Sequence, residues 1–160
     1  MKAAAASFAT AALLGASAAA QAFDGVVTRV SDGDTLWVQP DDAARRPLKL
    51  RLHGIDAPEL CQRWGLQARD ALAARVLRQR VHVDVRARDN YGRALGALRV
   101  DGADVSAELV SRGHAWSARW RGSGPYLRQE QEARETRRGL FEDAAAIEPR
   151  RFRRMHGPCG

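Results

Sequence analysis

The chain has 160 residues and a formal net charge of +7, which is too short for several domains of ordinary size. Lys2 and Lys49 are the only lysines, so arginine carries nearly all the positive charge. The guanidinium fork matches phosphate oxygens bidentately. Charge therefore points to a polyanionic partner, and by itself it leaves nucleic acid, acidic polysaccharide or no partner open.

The N-terminus reads as a targeting segment. Lys2 precedes a small, mostly apolar stretch from Ala3 to Ala20 with Leu13 and Leu14 at its centre, and Ala20-Gln21-Ala22 matches a small-x-small cleavage site. Ser7, Thr10 and Ser17 interrupt the stretch, which makes a membrane span the weaker reading. Residues 1–22 are expected to be a signal peptide, and the mature protein to be secreted or periplasmic with no membrane span. Cleavage lowers the formal charge from +7 to +6, since Lys2 is the only charged residue removed. Export places Cys61 and Cys159 in an oxidising compartment, where pairing is favoured over two free thiols. Closing a loop that long stabilises by ~4 kcal/mol in the chain-entropy model.

Gly25–Val30 and Thr35–Val38 flank the turn formers Ser31-Asp32-Gly33-Asp34, a hairpin signal. Leu48, Leu50 and Leu52 share one strand face, and Lys49 and Arg51 take the other. Gly54–Pro58 is a loop, because Pro58 disfavours helix at Ala57. A helix is expected from Cys61 to Arg78, with Ala68, Leu72, Val76 and Leu77 near one stripe. Val81, Val83, Val85 and Ala87 alternate with polar residues and mark a strand. Asp89-Asn90-Tyr91-Gly92-Arg93 turns the chain into a returning strand, Ala94–Val100. Asp104 can cap a short helix that runs to Arg112 and stops at Gly113. A last helix spans Pro125–Arg138 and stops at Gly139. Residues 148–160 form a basic tail with Arg150, Arg151, Arg153 and Arg154, either adding phosphate affinity or simply solvated. Three strands, a helix, two strands and further helices fit an α+β, mainly β fold: a five-stranded OB-fold barrel with about three helices in residues 23–147. Other α+β arrangements share the pattern.

Four elements carry candidate chemistry, each weak alone. Asp32 and Asp34 at a glycine turn can offer oxygens to a hard cation, although Asp and Gly are ordinary turn residues. Arg51 leaves the core on its strand. Asp56 and Glu59 follow on a rigid loop, five and eight residues later. Arg93 sits in the Asp89–Arg93 turn. Together these residue types suit phosphodiester hydrolysis. A cation held by carboxylates neutralises a phosphate oxygen, a carboxylate takes a proton from water, and guanidiniums stabilise the added negative charge. The four histidines have no metal-ligand spacing.

Asp32-Gly33-Asp34-Thr35, Arg51, Ile55-Asp56-Ala57-Pro58-Glu59 and Asp89-Asn90-Tyr91-Gly92-Arg93 stand in an order and spacing that resembles the staphylococcal nuclease family. The likeness covers residues 24–142. It implies a Ca²⁺-dependent nuclease that cuts DNA and RNA at the 5′ P–O bond and leaves 3′-phosphate ends. Asp34, Asp56 and the Ala57 carbonyl would ligate Ca²⁺, with Asp32 and Thr35 beside the ion. Glu59 would be the general base, and Arg51 and Arg93 would act on the scissile phosphate. Tyr91, Arg119 and Trp120 would touch the nucleic acid, single strands being favoured, and the protein would act as a monomer. Two departures stand out. Ala57 replaces the family's usual threonine, and Trp116, Arg119 and Trp120 occupy the region where the family often has tyrosines. A non-catalytic OB-type binding module and a polysaccharide-binding basic protein are the competing readings. The first typically lacks the acids kept here, and the second leaves the motifs unexplained.

Overall fold

The computed structural model describes residues 21–159. The expected signal peptide lies outside them, apart from Gln21 and Ala22. Strand β1 (Gln21–Val30) turns through residues 31–34 into β2 (Thr35–Pro40), and β3 (Leu48–Leu52) follows antiparallel to β2. After the two-residue β4 (Ile55–Asp56) comes helix α1 (Gly65–Val76), then β5 (Arg80–Arg88) and β6 (Ala94–Val100). Strand β1 pairs with β5, β5 with β6, and the start of β6 runs parallel to β3, with Leu50 opposite Ala94 and Leu52 opposite Gly96. That last pairing closes the sheet into the expected five-stranded barrel. Register shifts between Val27 and Arg29 and between Val85 and Ala87 supply the bulges that bend long strands around a small barrel.

Alternation decides which side chains fill it. Val27, Leu36, Val38, Leu50, Leu52, Val83 and Leu98 point inward, and Leu72 and Val76 of α1 close one end. The chain continues through β7 (Ala103–Asp104), α2 (Val105–Ser111), β8 (Trp116–Ser117) and α3 (Leu127–Glu135). Asp104 caps α2 as its sequence predicts, its side chain accepting from Ala107 N at 3.2 Å. A second core of Trp116, Ala133, Leu140 and Phe141 lies beside the barrel, with Trp64 packed against it. Trp37 is half-buried with Arg29 over its ring, while Trp120 is exposed.

The structure departs from expectation in four places. Helix α3 is shorter than the expected Pro125–Arg138, spanning Leu127–Glu135. Helix α1 starts at Gly65 rather than Cys61, because residues 59–65 close tight turns: Gln62 N donates to Glu59 O at 2.8 Å and Gly65 N to Gln62 O at 2.9 Å. Residues 55–56 are not pure loop, since β4 pairs with β8. The C-terminal segment is not a solvated tail but a fourth helix, α4 (Pro149–His156). Pro149 presets the first helical turn. Phe152 and His156 lie against each other with ring centroids 4.6 Å apart, lining a cavity with Trp64 and Trp116. Cys159 is bonded to Cys61, with their Cα atoms 5.7 Å apart. No helix among the described residues is long and apolar enough to cross a membrane.

Candidate active site

The β1–β2 turn carries Asp34 to the mouth of the barrel. Asp32 fixes that turn by accepting from Asp34 N at 3.0 Å. Gly33 is required there: a Cβ would lie 2.7 Å from Ala57 Cβ and 2.9 Å from Ala68 Cβ. The bare backbone lets the turn seat directly on the Asp56–Ala57 segment. Asp34 is buried, and each of its oxygens is engaged. Oδ1 accepts from Thr35 Oγ1 at 2.9 Å and Arg51 Nη1 at 3.0 Å, and Oδ2 accepts from Ala57 N at 3.2 Å.

Arg51 projects out of β3 on the face opposite Leu50 and Leu52, as alternation requires. Its fork joins two acids, with Nη2 donating to Asp56 Oδ1 at 2.9 Å. Burial pushes the Asp34 carboxyl up to about 6, and Arg51 opposes that rise. Burial and then the nearby Asp34 charge also raise Asp56. For Arg51, burial works against the charge, but Asp34 and Asp56 outweigh it and hold the guanidinium above its usual value. The site is thus a strained cluster of like charges, relieved by one shared cation.

Glu59 sits just beyond β4. Its backbone N donates to Gln62 Oε1 at 3.2 Å, and Gln62 Nε2 donates to Ile147 O at 2.7 Å, which ties the loop to the chain ahead of α4. Gly65 makes this approach possible, because a Cβ there would stand 1.9 Å from Glu59 O. Arg153 of α4 donates to Glu59 Oε1, and its other terminal nitrogen lies 3.7 Å from Asp56 Oδ2. On the far side, Arg93 is held by Asp89. Its Nε donates to Asp89 Oδ2 at 2.7 Å and its backbone N to Asp89 Oδ1 at 2.9 Å. Tyr91 is exposed, and the Arg93 guanidinium lies 5.5 Å from its ring centroid.

One pocket of about 520 Å³ gathers Asp32, Asp34, Arg51, Ala57, Glu59, Tyr91 and Arg93. Asp56 meets it through Arg51. Arg119 and Trp120 line neighbouring grooves instead. Arg119 is engaged elsewhere, at 2.8 Å from Glu130 and 3.0 Å from Glu148. Sequence reasoning singled out neither Lys49 nor Arg153 for this pocket, which both line. Asp89 and Gln62, which orient Arg93 and Glu59, were also missed. The Asp89-x-x-x-Arg93 spacing at a turn was the one signal for the first. Arg153 carries no signal beyond its place among the four arginines of the basic tail. Among the described residues, no three acid, histidine or cysteine side chains stand together as ready metal ligands. Arg51 lies between the two principal acids.

Residues 49–143 match the family model described as staphylococcal nuclease homologue. The chain is 42% identical to Protein ParB of Escherichia coli over 142 residues, which is 81% of this chain and 78% of that one. It is 38% identical to a micrococcal nuclease of Shigella flexneri, covering 82% of this chain and 81% of the relative. It is 39% identical to an uncharacterized endonuclease of Escherichia coli O157:H7, covering 78% and 81%. Barrel, pocket and relatives together define a hydrolase of the nuclease class. The chain belongs to the staphylococcal nuclease family.

Proposed function

We propose that the protein is a Ca²⁺-dependent endonuclease that hydrolyses DNA and RNA at the 5′ P–O bond, leaves 3′-phosphate ends, and works as an exported monomer. The observation that carries this reading is the convergence of Asp34, Arg51, Glu59 and Arg93 on one open pocket. The donor chemistry suits a hard cation. Asp34, Asp56 and the Ala57 carbonyl are all oxygen donors, and burial, followed by a neighbouring carboxylate, raises the proton affinity of both acids. A cation held there neutralises charge on the phosphate.

The chain's own residues do the rest. Asp32 holds the Asp34 backbone N–H, and the Thr35 hydroxyl holds the Asp34 carboxylate. Glu59, open to the pocket, takes a proton from the attacking water. Arg51 and Arg93 bind the scissile phosphate and stabilise the charge that grows on its oxygens. Asp89 keeps the Arg93 fork oriented. Single strands are the favoured substrate, because their unpaired bases are free to stack. Tyr91, exposed at the pocket's rim, offers a ring for a base to stack on. Arg119 and Trp120, in the adjoining grooves, offer contacts further along the strand.

The test is cleavage of an end-labelled single-stranded DNA and of an RNA by the mature protein, in Ca²⁺ or in chelator. The expected result is Ca²⁺-dependent cleavage, with 3′ ends that a phosphatase can open. Glu59→Ala is expected to lose most of the rate. Equal cleavage in chelator, or unchanged cleavage by Glu59→Ala, overturns the reading.

A further inference from the structure

We infer that Arg153 is a substrate-binding residue of the nuclease pocket: a guanidinium that takes a nucleic-acid phosphate beside the scissile one, delivered by a helix that the Cys61–Cys159 disulfide anchors. This rests on the nuclease reading above and adds to it a residue outside the stretch that matches the family, which ends at residue 143.

Three observations carry it. First, α4 is fastened rather than loosely attached. The disulfide holds one end. At the other, Gln62 Nε2 donates to Ile147 O at 2.7 Å, and Arg119 Nη1 donates to Glu148 Oε1 at 3.0 Å. Second, of the four arginines on α4, Arg153 alone forms an ion pair with an acid among the described residues, and its partners are Glu59 and Asp56 of the site. It reaches back 94 positions to do so. Third, its side chain is still 39% exposed. Glu59 takes one Nη1 donor, and Asp56 Oδ2 lies 3.7 Å from Nη2, beyond hydrogen-bond length, so N–H groups stay unpaired beside the pocket that Arg153 lines. A guanidinium has five donors, and one carboxylate cannot use them all.

The chemistry of a guanidinium says what those donors take. The pocket is lined by the carboxylates of Asp32, Asp34 and Glu59 and by the cations Lys49, Arg51, Arg93 and Arg153. Asp56 and Asp89, paired with Arg51 and Arg93, stand at its edge, so an anion is taken by guanidinium N–H groups that these acids leave unused. Arg51 is committed to Asp34 and Asp56, and Arg93 to Asp89. Arg153 reaches the site from α4, donating to Glu59 and standing 3.7 Å from the Asp56 carboxylate that Arg51 also holds. A polynucleotide crossing the pocket brings successive phosphates, and one of them falls to this fork.

The experiment compares the oxidised wild type with Arg153→Gln, Arg153→Lys, Cys61→Ser/Cys159→Ser and the combination of Arg153→Gln with the two serines. Initial rates over a range of single-stranded DNA concentrations separate KM from kcat. Fluorescence anisotropy of a labelled oligothymidylate, titrated in chelator across a salt series, reads binding without turnover. Arg153→Gln is expected to raise KM and weaken the oligonucleotide roughly tenfold, the scale of one charged hydrogen bond, with kcat little changed. The salt slope is expected to fall by about 0.7, the value of one single-strand phosphate contact. Arg153→Lys should recover part of the loss. The disulfide-free protein should show the same rise in KM, and adding Arg153→Gln to it should do nothing further.

A faster Arg153→Gln enzyme would overturn the inference and make Arg153 a brake on Glu59. Unchanged binding and salt slope would overturn it as well. Should Arg153→Gln fail to fold, reduced wild type below its melting temperature gives the same readouts, and unchanged binding there is again fatal. Failure of the wild type to cleave would instead sink the nuclease reading. The anisotropy series in chelator would still decide the role of Arg153.

Discussion

Thr35 and Arg51 stand opposite one another in the β2–β3 ladder. From that pairing follows the rest of the acid–guanidinium cluster. The residue before Thr35 is Asp34, whose Oδ1 takes both the Thr35 hydroxyl and an Arg51 N–H. Strand register is pinned by Leu36 opposite Leu50, both fully buried. A slip of one residue would send Arg51 into the core and a leucine into the site.

Arg51→Lys tests whether the fork matters beyond its charge. Lysine is a point charge and cannot join Asp34 Oδ1 to Asp56 Oδ1 at once. The rate is expected to fall by roughly a factor of 100, the scale of a lost transition-state donor. The melting temperature should move little, which circular dichroism would check. A rate within a factor of two of wild type would show that charge alone suffices.

The pH dependence of stability in chelator follows from Asp34. Its folded value is raised to about 6 from an ordinary 3.8. Between those values the folded state holds a proton that the unfolded chain has released, so stability falls as pH rises from about 4 to about 6. The whole fall is at most about 3 kcal/mol for a carboxyl displaced that far. Urea titrations of wild type and Asp34→Asn across this range are the measurement. The fall should be visible in the first and largely absent in the second.

Gly33→Ala places a methyl against Ala57 and Ala68. Overpacking of this kind costs about 1–3 kcal/mol. The turn and the Ala57 segment must move apart, so activity should drop more than stability does. Gly102→Ala is the control. Its Cβ meets nothing within 4 Å, and any loss there comes from its left-handed backbone alone.

Glu130 is the buried carboxylate of α3. It accepts from Ser117 N at 2.9 Å, Arg119 Nη2 at 2.8 Å and Arg134 Nε at 2.8 Å. Glu130→Ala leaves the Ser117 N–H buried without a partner, at a cost of roughly 2–3 kcal/mol. Ser117 belongs to β8, which pairs with Asp56 through Trp116. The variant is expected to unfold at lower denaturant while its KM at low temperature stays near wild type.

The barrel was legible because its strands obey a period of two. Leu48, Leu50 and Leu52, and Val81 and Val83, declare an inside and an outside without help. The cluster around Arg51 was legible for the same reason, as was the Asp104 cap. What could not be read was anything set by contact between distant segments. Two residues of β4 gain their ladder only by meeting β8, from which they are separated by the whole of α1 and α2. Helix α4 has no apolar stripe beyond Phe152 and Met155. It forms because Pro149 starts it and the disulfide holds its end. Arg153 therefore looked like any other arginine in a basic tail. The ion pairs of Arg119 with Glu130 and Glu148 are of the same kind, set by contact with α3 and with the start of α4.

The bond between Cys61 and Cys159 also changes how the molecule takes damage. The turn from Trp120 to Ser123 is exposed and carries Arg121, so it is open to a trypsin-like protease. A nick there would split an ordinary linear domain into two fragments free to diffuse apart. Here the halves stay joined by the sulfur bridge, and α3 and the second core hold the C-terminal piece against the barrel. A nicked molecule would run as two bands only after reduction, and in the oxidised state it could go on working as one body.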